Sequence, residues 1–213
     1  MAARMEVSAR HVYRMVRVAR DLGVTIPPHR VPPHRLDAPP DPLERIDVER
    51  ACDLVEWLQD ERGLVELGVE AGQVEDPAWL DPGALVVAVR ETLRAGLRRA
   101  ASYWALWASR RCHRLVDTER GAEWRFVPPG DLPPRAARAA FEELTMTQMT
   151  VGLSRAAGRP IRPVSVRFAH LRTAHAGRLE ALSSSARWSS ARSARPSSCP
   201  IATWTRRCPA RTR

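Results

Sequence analysis

LRAGLRRAASYWALWASRRCHRLVDTERGAEWRFVPPG, residues 93–130, and AARAAFEELTMTQMTVGLSRAAGRPIRPVSVRFAH, residues 136–170, decide the fold class. In the first, Leu93, Leu97, Ala100, Ala101, Trp104 and Trp107 recur at helical spacing and predict a helix with that stripe inward. After Arg111 the period changes. CHRLVDTERGAEWRFVPPG predicts two short strands joined at Glu119–Gly121 and closed by Pro128-Pro129-Gly130. From Asp131 to Ala157 helical spacing returns, with Ala137, Phe141, Leu144 and Val151 or Leu153 inward, and Pro160 and Pro163 stop it. PVSVRFAH then alternates, placing Val164, Val166 and Phe168 on one face of a half-buried strand.

Upstream the pattern is helical. Val12, Met15, Val16 and Ala19 form the stripe of an amphipathic helix over Val7–Leu22, ending near Gly23. Residues Ile26–Pro42 hold seven of the 18 prolines and predict an exposed loop. Asp47 caps a helix with Ala51, Leu54, Val55 and Leu58 inward and Gly63 beyond its end. Asp81-Pro82 opens another, with Ala84–Val89 as its apolar part. Helices first, then β-β-α-β, argues α+β with a small, incomplete antiparallel sheet.

Charge is unevenly spread over the 213 residues. All 34 basic residues are arginine, giving a net +10; residues 1–182 carry +3 and the last 31 carry +7 with no acid. The body is nearly neutral, so its composition requires no basic nucleic-acid face. No run of apolar residues is long enough to span a membrane, and no apolar leader opens the chain, so a cytoplasmic location is expected. Four cysteines without framework spacing fit a reducing compartment.

From Ser183 the text becomes SSSARWSSARSARPSSCPIATWTRRCPARTR, with eight serines in its first 18 positions and no hydrophobic period. This predicts a disordered Arg/Ser-rich tail over 183–213. Its arginine, serine, proline, tryptophan and cysteine are also what GC-rich DNA yields out of frame. A two-base shift of GC-favouring codons over Arg187–Arg213 permits VEFG, ELV and LDAPL pieces in that order, so a frameshift near residue 183 is the expectation. The alternative is a small basic nucleic-acid-binding protein acting through this tail.

Chemistry-bearing motifs are sparse. No glycine loop has phosphate-cradling spacing, and Cys112-His113 is a lone pair where zinc needs two chelating pairs. Glu142-Glu143 are adjacent on a helix, about 100° apart, and read as a solvated face. No nucleophile elbow frames a serine. The expectation is therefore no enzyme, no metal and no cofactor. The aromatics Tyr103, Trp104, Trp107, Trp124, Phe126 and Phe168 read first as core. The sharper reading is a small-molecule pocket between the 93–109 helix and the sheet, contacted by Tyr103, Trp107, His113, Trp124 and Arg125.

The helix–hairpin–helix–strand run from Leu93 to His170 resembles the N-terminal effector-binding and dimerisation domain of AraC-type transcription regulators, in its helix-rich version. The resemblance covers about residues 5–170, so 1–182 is expected to form one sensor domain, with the Pro-rich loop 26–42 longer than the family pattern. It implies an unidentified small-molecule effector, a homodimer, and DNA contact only through helix-turn-helix units that are missing from this chain. It also implies that the family's next strands, F-G-x-P-V-x-F-G and L-x-F, are lost, leaving Val164–Ala169 as an exposed edge.

Overall fold

A computed structural model describes residues 5–31, 39–74, 92–103, 108–109, 113–119, 121–126, 136–168, 170, 173–181, 186–188 and 201–205. Six helices and seven strands lie among these residues, an α+β architecture. The predicted helix at 81–89 and the residues Trp104 and Trp107 fall outside them.

The helical layer starts from a ribbon. β1 (Glu6–Ser8) and β2 (Arg45–Asp47) pair antiparallel, Val7 opposite Ile46, and each runs directly into a helix. α1 (Ala9–Asp21) and α2 (Val48–Asp60) therefore start side by side. The Asp47 carboxylate accepts from the backbone N–H of Glu49 at 3.0 Å and of Arg50 at 3.4 Å, the cap that its position predicted. Val12, Met15, Val16 and Ala19 of α1 and Ala51, Leu54, Val55 and Leu58 of α2 are all buried. The Pro-rich loop is tied down where it is described: Arg10 donates to the Pro40 carbonyl and Arg50 to that of Val31.

α3 (Leu67–Gln73) has no apolar stripe, and nothing in its spacing predicted it. It exists because it packs backbone to backbone on the 21-residue α5 (Ala137–Ala157). A Cβ on Gly68 would sit 2.3 Å from the Ala140 carbonyl oxygen, and one on Gly72 2.5 Å from Thr147 Cβ. The i, i+4 glycines thus form one face that lets the two helices touch.

α5 lies between two hydrophobic cores. Ala137, Ala140 and Leu144 join the core of α1, α2 and α3. Met146 and Leu153, from the other side of the same helix, join Leu97, Ala100, Trp124, Ile161, Val166 and Phe168. The helix stops at Gly158, whose φ of +63° is the left-handed cap, two residues before the proline that the sequence suggested as the stop.

The second core is roofed by α4 (Leu93–Ser102) and a five-stranded sheet. α4 ends at Ser102, short of the predicted 109, and Leu97 and Ala100 face inward as expected. β3 (His113–Thr118) and β4 (Gly121–Phe126) form the predicted hairpin, Leu115 opposite Trp124. β5 (Ser165–Phe168) carries buried Val166 and Phe168, while Val164 lies outside the strand and is exposed. α6 (Ala176–Glu180) follows, then β6 (Ala186–Trp188) and β7 (Ile201–Thr205).

Two expectations change here. The strand order is β3-β4-β7-β5-β6, so β5 is flanked on both sides and is not an exposed edge. The sheet has five strands where the sequence showed three, and β5 pairs with β6 in parallel, which requires the crossover through α6. The added strands come from the segment predicted to be a disordered tail; its remaining residues lie outside the described ones. The physical reason is the open row of N–H and C=O groups between β4 and β5. Ile201-Ala202-Thr203-Trp204-Thr205, rich in β-branched and aromatic residues, pairs with both.

Candidate functional site

Consecutive strand residues point to opposite faces, and this separates the aromatic candidates. Trp124 is fully buried, in the core with Leu97, Ala100 and Phe168. Its neighbour Arg125 takes the other face and donates to the Glu123 carboxylate at 2.7 Å. Tyr103 caps the end of α4, 39% exposed, with the Arg99 guanidinium 5.0 Å from its ring centre. His113 opens β3 opposite Phe126. Trp107 is outside the described residues. Arg94 and Arg98 of α4 both donate to Asp117 of β3, at 2.8 and 2.5 Å, and clamp the helix to the hairpin.

A second polar cluster was not visible in the sequence. Glu142 and Glu143, read as a solvated face, are both buried. α5 is enclosed on two sides, so its acids have no water to face. Arg138 donates to Glu142 at 3.0 Å, one turn away. Glu143 Oε1 meets His175 Nε2 at 3.0 Å and lies 3.6 Å from His170 Nε2. The Glu143 and His175 side chains are 1% and 3% exposed. His175 Nδ1 and Thr147 Oγ1 are buried without a hydrogen-bond partner among the described residues.

Burial first, and then the charges of Glu142 and Glu66, push the Glu143 carboxyl up to about 8. Burial also lowers His175; Glu66 pulls it back up and Arg178 pushes it further down. Both groups are thus driven toward their neutral forms, and the pair keeps one proton between them across neutral pH. Beside it, Arg178 of α6 donates to Glu66 at 2.5 Å, to Glu70, and to Gln73 at 3.2 Å. The site joins α3, α5 and α6.

The sequence did contain a signal for the buried acids. Phe141 and Leu144 lie on one side of α5 and Met146, Met149 and Leu153 on the other, so no wide polar face remains. The histidine partners of Glu143, about 30 residues away, left no trace in spacing. Among the described residues no group of three His, Cys, Asp or Glu is arranged to hold a metal ion. No described helix is long and apolar enough to cross a membrane.

Residues 30–194 match the family model of the arabinose-binding domain of AraC transcription regulators, the N-terminal part of those proteins. The matched span runs from the Pro-rich loop through β6, past Leu182 and short of β7. No curated protein matches the chain. The order expected from Leu93 to His170, with a long helix enclosed between two cores, lies wholly inside that span. The chain therefore belongs to the family of N-terminal ligand-sensing domains of AraC-type transcription regulators.

Proposed function

We propose that this domain binds a small-molecule effector in the cytoplasm and, as a homodimer, sets the geometry of helix-turn-helix units encoded beyond a frame slip near residue 183. The observation that carries the reading is the family match over residues 30–194. Effector contact is assigned to the end of α4 and the face of β4 that carries Arg125, through Tyr103 and Arg125; Trp124 is enclosed on the opposite face of that strand and belongs to the core. An effector changes the output only by binding two dimer geometries with unequal affinity.

A second reading has its own support in the charge of residues 183–213, +7 with no acid. On that reading the tail binds nucleic acid without regard to sequence. Two assays separate the readings. In a thermal-shift series with L-arabinose, other neutral sugars and small carboxylates, one chemical class is expected to raise the melting temperature in a saturable way. At a hundredfold excess over Kd the gain is about 2.7 kcal/mol, several degrees for a chain of this size. Binding to random-sequence DNA is then measured at low and physiological salt. The sensor reading predicts no tail-dependent binding at physiological salt. Steeply salt-dependent binding that disappears on deleting residues 183–213, with no ligand shift, supports the second reading.

A further inference from the structure

The crossover from β5 to β6 passes over the helical layer and is held there by two polar ties of different character. One is the fan of Glu66, Glu70 and Gln73 on Arg178, about a third exposed. Hydrogen bonds to Glu70 and Glu66 raise Arg178, which stays charged at any accessible pH. The other is the buried contact of His175 with Glu143. Leu179 and Ala176 bury the apolar side of the same short helix.

We propose that residues 173–181 form a proton-dependent latch, docked on α3 and α5 while the Glu143–His175 pair holds one proton and released as that proton leaves to solvent. The groups that face the pair are Glu142 and Arg138 on α5, Glu66 and Glu70 on α3, and His170 and Arg178 on the crossover itself. Three of them are acids, two of which add to the burial that opposes a second negative charge at Glu143.

Proton counting sets the direction. When the segment is undocked, the carboxyl and the imidazole titrate near their ordinary values of 4.5 and 6.5, so the pair holds one proton between those pH values and none above them. The docked pair still holds one proton up to about pH 8. Glu143 is the raised group: its contribution to docking is full below 4.5 and is lost as pH rises toward 8. His175 is the lowered group: its contribution is present above 6.5 and is lost as pH falls. Between 4.5 and 6.5 the two slopes oppose each other. Above 6.5 only the loss remains, about tenfold in the docking equilibrium per pH unit and roughly thirtyfold by pH 8. This count holds whichever of the two residues carries the proton.

The test is hydrogen–deuterium exchange of the full chain from pH 5 to 8, corrected for intrinsic exchange rates. Protection of residues 173–181 is expected to fall about tenfold per unit above pH 6.5 and to depend less on pH below it, where the two contributions oppose each other, while α2 stays level. Glu143→Gln keeps a donor for His175 but cannot titrate, so its profile should be level above pH 6.5 and fall only as pH drops below that value, where the imidazole of the undocked segment takes up a proton. His175→Gln removes the second titrating group, and the decline should then begin near 4.5. Arg178→Gln loosens the other tie, lowering protection equally at every pH. A level wild-type profile, or an unchanged slope in both Glu143→Gln and His175→Gln, overturns the latch.

Discussion

Trp124→Ala is expected to lower unfolding stability by about 3–5 kcal/mol in urea denaturation, the range for deleting a buried large aromatic. The ring is fully enclosed and joins α4, through Leu97 and Ala100, to β5, through Val166 and Phe168. Removing it leaves a cavity where three elements meet, and the fixed α4–hairpin clamp at Asp117 hinders collapse into it. Tyr103→Ala is the contrast. Its ring is 39% exposed and is backed on one face by Arg99, so a loss below about 1 kcal/mol is expected. A loss below about 1 kcal/mol at Trp124 as well would show that its ring faces open space instead of the core.

Gly68→Ala is expected to lower stability by about 2–3 kcal/mol and the melting temperature by roughly 5–10 °C, although alanine favours helices by about 1 kcal/mol over glycine. The new methyl carbon would lie 2.3 Å from Ala140 O, 2.9 Å from its Cα and 3.0 Å from its carbonyl carbon. All three are backbone atoms, so no side chain can turn away and α3 must move off α5. That movement also strains the Glu66, Glu70 and Gln73 contacts to Arg178. Gly177→Ala serves as the control: nothing lies within 4 Å of its added Cβ, and its stability should be equal or slightly higher. Equal melting of Gly68→Ala and the wild type would mean that the two helices do not meet at their backbones.

Residues whose burial repeats with the period of one element were legible in the sequence. Leu54, Val55 and Leu58 announced α2, and Val166 and Phe168 announced β5, because each set falls on one side of its own backbone. Asp47 announced the start of α2 because a cap is a local interaction. α3 was illegible for the opposite reason. LGVEAGQ has low helix propensity, and its glycines acquire meaning only against Ala140 and Thr147, some 70 residues later. Glu143 was misread because a carboxylate is ordinarily solvated, and only the fold brings His170 and His175 to it. The strands β6 and β7 escaped because backbone pairing fills an open sheet row with little help from a hydrophobic pattern.

That the helix-turn-helix units served by this sensing domain are encoded beyond a frame slip near residue 183 is tested by resequencing the gene across codons 175–215 and several hundred bases beyond. A one- or two-base slip near codon 183 is the expected result. The restored frame should read VEFG- and LDAPL-like segments and continue into paired helix-turn-helix sequence. A confirmed sequence with no such frame downstream would contradict it, and salt-dependent binding by the arginine-rich segment would then be the function to pursue.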